Sequence, residues 1–111
     1  MDAVLHTCWS TPSAEDSAAE NPEFKKDLDV AKLYLKQKNY RGAESRLEDA
    51  LAAKPNDPEA TFLWAESLEK LKEPSDAMEA YSEYLKLEPQ GKFADQARMA
   101  LTRLNRKSAS K

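Results

Sequence analysis

Residue types recur along this chain at a spacing of 34 positions. Two alanines and a proline of one segment have identical counterparts in the next, which gives the pairs Ala31 and Ala65, Ala43 and Ala77, and Pro55 and Pro89. A repeat of this length is typical of helical hairpins that stack side by side, because a single hairpin is too thin to bury its own apolar face. The period therefore predicts an all-α fold, and a chain that holds a partner rather than one that converts a substrate.

Signals for helix starts and ends divide the chain into five predicted helices. Asn21 with Pro22, and Asp57 with Pro58, favour helix starts, since an Asn or Asp side chain caps the first turn and Pro suits it. Pro55 ends a helix because it disfavours helical geometry in the preceding residue. The predicted helices cover approximately residues 24–37, 40–54, 58–71, 74–88 and 93–106.

Composition limits the classes of function. The 111 residues include 41% hydrophobic and 33% charged residues, which suits one soluble domain with solvated helix faces. The net charge of -3 is too small to imply a polyanionic or polycationic partner. No apolar run approaches the roughly 20 residues that span a bilayer, so the sequence predicts no transmembrane segment.

The C-terminal segment is rich in cations. Residues 92–111 contain six Lys and Arg residues against a single acid, Asp95. Such a segment could contact a membrane surface or a nucleic acid, but cations also favour the C-terminal end of any solvated helix. We favour the solvated helix, because proteins that bind single-stranded nucleic acid combine aromatic and cationic residues and this segment has only Phe93 as an aromatic residue.

Catalytic and metal-binding chemistry has no support in the sequence. The chain has one His and one Cys, His6 and Cys8, so neither the usual zinc-ligand spacings nor a fixed pair of nucleophile and base can be assembled. No Gly-rich phosphate loop occurs. A lipid on Cys8 would require a preceding apolar signal, which the residues before it do not supply. We therefore expect a non-catalytic protein without cofactor, metal or small-molecule substrate.

Within each period, the order of small, large and helix-breaking residues resembles the tetratricopeptide repeat (TPR). The first repeat supplies Val30, Ala31, Tyr34, Ala43, Leu47, Ala50 and Pro55 to that pattern. The second repeat supplies Trp64, Ala65, Leu68, Ala77, Tyr81 and Pro89. Both copies lack the family's early Trp, having Asp27 and Thr61 there, and Tyr84 stands where a small residue is usual.

The resemblance implies a right-handed superhelix of antiparallel helix pairs, closed by a helix with one solvated face. The predicted boundaries are residues 1–20 for a flexible N-terminal tail, 21–106 for the TPR domain and 107–111 for a disordered end, with repeats at about 24–57 and 58–91 and a capping helix at 92–106. Whether Val4, Leu5 and Trp9 of the tail dock on an exposed helix face is left open by the sequence.

The resemblance also implies a concave face that is lined by the first helix of each pair and holds a peptide or protein segment. Carried over onto this sequence, that face contains Lys25, Leu28, Lys32, Leu35, Glu59, Phe62, Glu66 and Glu69. The predicted groove is basic at one end and acidic at the other, with Leu28 and Phe62 as apolar anchors, and suits a mixed-charge amphipathic segment. The same spacing equally predicts ordinary packing of Leu28 and Phe62 between adjacent first helices.

Two further interpretations stay open. The long junction over residues 89–97 resembles repeats of bacterial cell-envelope proteins, and a simple longer turn explains it equally. A stack this short could also complete its core on another copy, so an assembly scaffold, as a weak homodimer or in an envelope complex, is the alternative to a monomeric peptide-binding module. The compartment is cytoplasmic by default, or periplasmic if a signal peptide has been removed.

Overall fold

The computed structural model describes residues 22–109. The predicted tail with its docking residues, His6, Cys8 and the capping residue Asn21 lie outside that range. The described part consists of five α-helices and contains no strand, which confirms the all-α prediction. In chain order they are α1 (Pro22–Lys36), α2 (Tyr40–Ala53), α3 (Pro58–Lys70), α4 (Pro74–Leu87) and α5 (Ala94–Ala109).

The starts of α2 and α3 follow from side chains that cap them. The Asp57 carboxylate accepts a hydrogen bond from the Ala60 N–H at 2.9 Å, and the Asn39 amide oxygen accepts one from the Gly42 N–H at 3.1 Å. Each bond satisfies a backbone donor that the first turn of a helix leaves unpaired. Pro58 adds a ring whose fixed backbone angle suits the first turn of α3.

The turns inside the two hairpins have the same geometry. Lys38 and Lys72, 34 positions apart, adopt left-handed φ angles of 61° and 66°. In each turn the N–H of the following residue donates to a carbonyl five positions earlier, at 2.8 Å in the first and 3.0 Å in the second. This is the Schellman arrangement that ends a helix, and it reverses the chain between α1 and α2 and between α3 and α4.

Small residues lie where the helices cross. Each helix packs against its neighbours in sequence, and α1 also touches α3. Ala31, Ala43, Ala65 and Ala77, the paired alanines of the 34-residue period, have no exposed surface at all. A methyl side chain lets two backbones approach closely, and larger apolar residues then fill the gaps on either side. The result is one continuous core through the stack.

The last helix is longer than the sequence predicts. It runs to Ala109, so residues 107–109, which we predicted to be part of a disordered end, continue the helix. No Pro or Gly follows Arg106 to stop it, and Arg106 with Lys107 in the last turn favours the negative end of the helix dipole.

Candidate partner-binding surfaces

The first-helix face is the surface formed by the eight predicted site residues on α1 and α3. Its two apolar members, Leu28 and Phe62, are only 8% and 3% exposed. The Phe62 ring stacks on the ring of Phe93, which lies in the junction between α4 and α5. The ring centres are 4.5 Å apart and the angle between the ring planes is 5°. Both residues therefore pack between helices and expose little surface to a partner, although Phe62 also lines a groove between α3 and α5. Their role as apolar anchors stays a prediction.

Three charged members of this face are paired inside the molecule. The Lys32 Nζ lies 2.9 Å from a Glu59 carboxylate oxygen and so joins α1 to α3. The Glu69 carboxylate accepts three hydrogen bonds from the Arg103 guanidinium at 2.7–2.9 Å, which join α3 to α5. It also accepts a bond from the Tyr81 hydroxyl at 2.9 Å. Burial, together with this bond, raises the pKa of Tyr81, so its hydroxyl stays a donor.

The remaining members differ in exposure. Lys25 is exposed, Leu35 is half-buried and Glu66 is half-buried. Glu66 lines a groove of about 220 Å³ between α3 and α5, together with Gln96 and Met99. Loss of solvation raises the pKa of the Glu66 carboxyl, and the charge of Glu69 raises it further, while the charge of Lys70 on the same helix opposes the shift. Among the described residues, no ion pair or hydrogen bond holds this carboxylate.

A second surface, which the sequence analysis did not identify, lies between α2 and α4. We call it the acidic groove: a depression of about 440 Å³ with α2 and α4 as its walls and α3 as its floor. Its acidic residues are Glu44, Glu48, Glu73, Asp76, Glu79 and Glu83. Apolar side chains of Leu51 and Trp64 line the space between these two rows of carboxylates.

The charges of the acidic groove repel one another. Burial raises the pKa of the Glu44 carboxyl, and the nearby charges of Glu73 and Glu48 raise it further. Arg41 opposes this shift, but its guanidinium is 3.7 Å away and its side chain is 73% exposed. The sequence signal for this surface was present in the acids spaced three or four residues apart on α2 and α4.

Metal and membrane features are absent from the part of the chain that the structure describes. Residues 22–109 contain no group of three or more His, Cys, Asp or Glu side chains arranged to hold a metal ion. No helix within the same range combines the length and the apolar character needed to cross a bilayer.

Comparison with known proteins agrees with the helical architecture. The sequence profile of the tetratricopeptide repeat family matches residues 28–92, which is more than half of the 111 residues. No curated protein sequence matches the chain. The matched range begins in α1 and ends just before α5, so it contains both copies of the paired alanines. It does not distinguish the cell-envelope type of repeat, which stays a prediction.

Proposed function

This chain belongs to the tetratricopeptide repeat family, and from that premise we propose that it is a non-catalytic module that binds a peptide or protein segment on its first-helix face. Repeats of this family generally mediate protein–protein interactions and are typically non-catalytic. The surface, the chemistry of the bound segment and the absence of catalysis are our proposals for this chain.

The half-buried Glu66 carboxylate carries this proposal. It has lost part of its solvation, as its raised pKa indicates, and it opens onto the groove between α3 and α5. A carboxylate in such a place gains from a cation that enters the groove, since the ion pair replaces the missing water. We therefore expect the bound segment to place a Lys or Arg side chain against Glu66.

The neighbours of Glu66 narrow the expected partner further. Met99 is 65% exposed and lines the same groove, which suits a short apolar side chain next to the cation. Lys25 lies exposed at the other end of the face, where an acidic residue of the segment would suit it. The expected segment is thus mixed in charge, but with fewer apolar anchors than the sequence alone suggested, since Leu28 and Phe62 are buried.

Titration of the full chain with a synthetic mixed-charge peptide tests the proposal. The probe is a peptide that presents Lys, Leu and Glu together on one face of a helix or strand. Binding is followed through the chemical shifts of the protein's backbone amides in NMR spectra. We expect shifts to concentrate around Glu66 and Met99, and Glu66→Gln to weaken the Kd by about tenfold, because a charged hydrogen bond is lost.

Asp29→Asn is the matched control, because Asp29 is an exposed acid on α1 that lines neither the acidic groove nor the groove beside Glu66. Equal weakening by both substitutions would mean that the peptide responds only to net charge. Absence of binding by any mixed-charge peptide would contradict the proposal.

The alternative is an assembly scaffold that self-associates or joins a bacterial envelope complex. Leu28 and Phe62 are apolar residues of the first-helix face that a second copy could cover, and both are already buried within one chain. Sedimentation at several concentrations separates the two functions: a monomer throughout favours peptide binding, and a concentration-dependent dimer favours the scaffold.

A further inference from the structure

We propose that the acidic groove is a second docking site, and that it takes a basic amphipathic helix of a partner protein. The site is independent of the first-helix face. Successive residues of a helix are rotated by about 100°, so Trp64 on the groove floor points to the side of α3 opposite Phe62 and Glu66. One partner segment cannot cover both surfaces along α3, and each surface can be tested alone.

The shape of the groove suits a helix that lies along it. Its walls come from α2 and α4, the second helices of the two hairpins, and its floor from α3 between them. Leu51 and Trp64 are only partly buried against the core, so apolar surface remains open at the bottom. The apolar ridge of an amphipathic helix fits such a floor, while its flanks reach both walls.

The charges of the groove indicate that its partner carries positive charge. The six acids of the two walls face one another across the floor, and no Lys or Arg is among the described residues that line it. Glu44 is largely enclosed, with 16% of its side chain exposed. Lys and Arg side chains on the flanks of a bound helix would relieve this repulsion and would also speed the encounter.

The Trp64 indole gives a second, independent indication. Its Nε1–H is buried and has no acceptor among the described residues. Buried donors of this kind almost always have a partner, and tryptophan is enriched at the centres of protein interfaces because it combines a large apolar surface with one donor.

The fluorescence of Trp64 can be used to measure binding in the acidic groove. In the full chain with Trp9→Phe, Trp64 is the single tryptophan, since the sequence contains two. The probe is a tryptophan-free peptide of Leu and Lys in a helical pattern, and the same peptide with Glu in place of Lys is its control. We expect the Lys peptide to change the Trp64 emission with a saturable, salt-dependent Kd, and the Glu peptide to leave the emission unchanged.

Charge-neutral variants locate the binding. Glu48→Gln with Glu83→Gln removes one exposed acid from each wall, and we expect the Kd to weaken by about tenfold. Asp29→Asn with Asp49→Asn removes the same charge outside the groove and should change the Kd by less than about twofold. Equal weakening by both double variants would overturn the proposal, because it would reduce the binding to net charge.

Two further outcomes would also overturn it. Loss of Lys-peptide binding in Glu66→Gln, with binding intact in the groove variant, would assign the peptide to the first-helix face. Self-association without peptide, abolished by Glu48→Gln with Glu83→Gln, would make the basic helix α5 of a second copy the occupant. Far-ultraviolet circular dichroism of every variant confirms that the comparison is made between folded proteins. Failure of the first-helix proposal would leave these groove results unaffected.

Discussion

The hydroxyl of Tyr84 holds the start of the last helix in place. It accepts a hydrogen bond from the Phe93 N–H at 2.9 Å, although Tyr84 is only 1% exposed. Gly91 makes this possible, because a Cβ there would collide with the Tyr84 hydroxyl and lie 2.7 Å from the Glu88 Cβ. Tyr84, where the repeat favours a small residue, therefore belongs to the same structural feature as the long junction. Its hydroxyl binds the backbone of that junction.

Lys72 has an energetically unfavourable backbone conformation. Its φ of 66° lies in the left-handed region, where a side chain crowds the backbone and glycine does not. We expect Lys72→Gly to raise the free energy of unfolding by about 0.5–1 kcal/mol, measured by urea denaturation. Lys72→Ala keeps a Cβ and should give no comparable gain; an equal gain in both variants would mean that the left-handed φ is not the cause.

Helix α3 is the central element of the molecule. It packs against α2 and α4 and also touches α1, so more of its residues are buried than in any neighbouring helix. Even Ser67 is fully buried, with its hydroxyl donating to the Leu63 carbonyl at 3.1 Å. Because both proposed surfaces share α3 as part of their structure, its position determines the spacing of the groups on either side.

Close approach between helices depends on the buried alanines. Ala43 and Ala77 have no exposed surface, so a larger side chain at either position must push two helices apart. We expect Ala43→Leu and Ala77→Leu each to lower the free energy of unfolding by about 1–3 kcal/mol, measured by urea denaturation. Ala52→Leu is the matched control, since Ala52 is exposed on the same helix as Ala43. Unchanged stability in both core variants would contradict the repeat register.

At the scale of the whole molecule, some charges stabilise contacts between helices and others destabilise the folded state. The Lys32–Glu59 and Arg103–Glu69 pairs connect helices of successive units, and Arg46 binds Asp27 across the first hairpin at 3.0 Å. The acidic groove works in the opposite sense, because burial and the charges of the neighbouring acids raise the cost of ionising Glu44. Strain of this kind is typical of surfaces that are retained for binding rather than for stability.

The strain predicts a pH-dependent effect of Glu44→Gln. The pKa of Glu44 is raised above its ordinary value of 4.5 in the folded protein, so the folded state binds the proton more tightly than the unfolded state does. Ionisation therefore costs stability above that pH, and the cost vanishes below it, where both states are protonated. We expect Glu44→Gln to raise the melting temperature at pH 7 and to lose this gain below about pH 4.5.

Two observations would bear on this prediction. The exposed Arg41 loses its partner in the variant, but a pair 3.7 Å apart with one side chain 73% exposed contributes little. Asp29→Asn should change the melting temperature little at either pH. A destabilised Glu44→Gln protein at pH 7, or a gain of equal size at both pH values, would show that the cost of ionising Glu44 through burial and repulsion is not the cause.

The fold could be predicted from the sequence, whereas the candidate surfaces could be predicted only in part. Periodic alanines, capping side chains and prolines act within one or two turns of chain, and they indicated all five helices. The eight site residues lie on α1 and α3, the first helices of the two hairpins. Whether each side chain is free to bind a partner depends on contacts with residues far away in the sequence. Phe62 meets Phe93 and Glu69 meets Arg103, and no local pattern reveals either contact.

By itself, the sequence determined that this chain forms stacked helical hairpins, because the 34-residue period fixes where side chains must be small and where the backbone must turn. Only the tertiary structure decided which charges remain available. It paired Lys32 with Glu59, left Glu66 open to a groove, and brought the acids of α2 and α4 to the two sides of Trp64. The physical reason is that desolvation and repulsion depend on distances through space, which chain spacing does not encode.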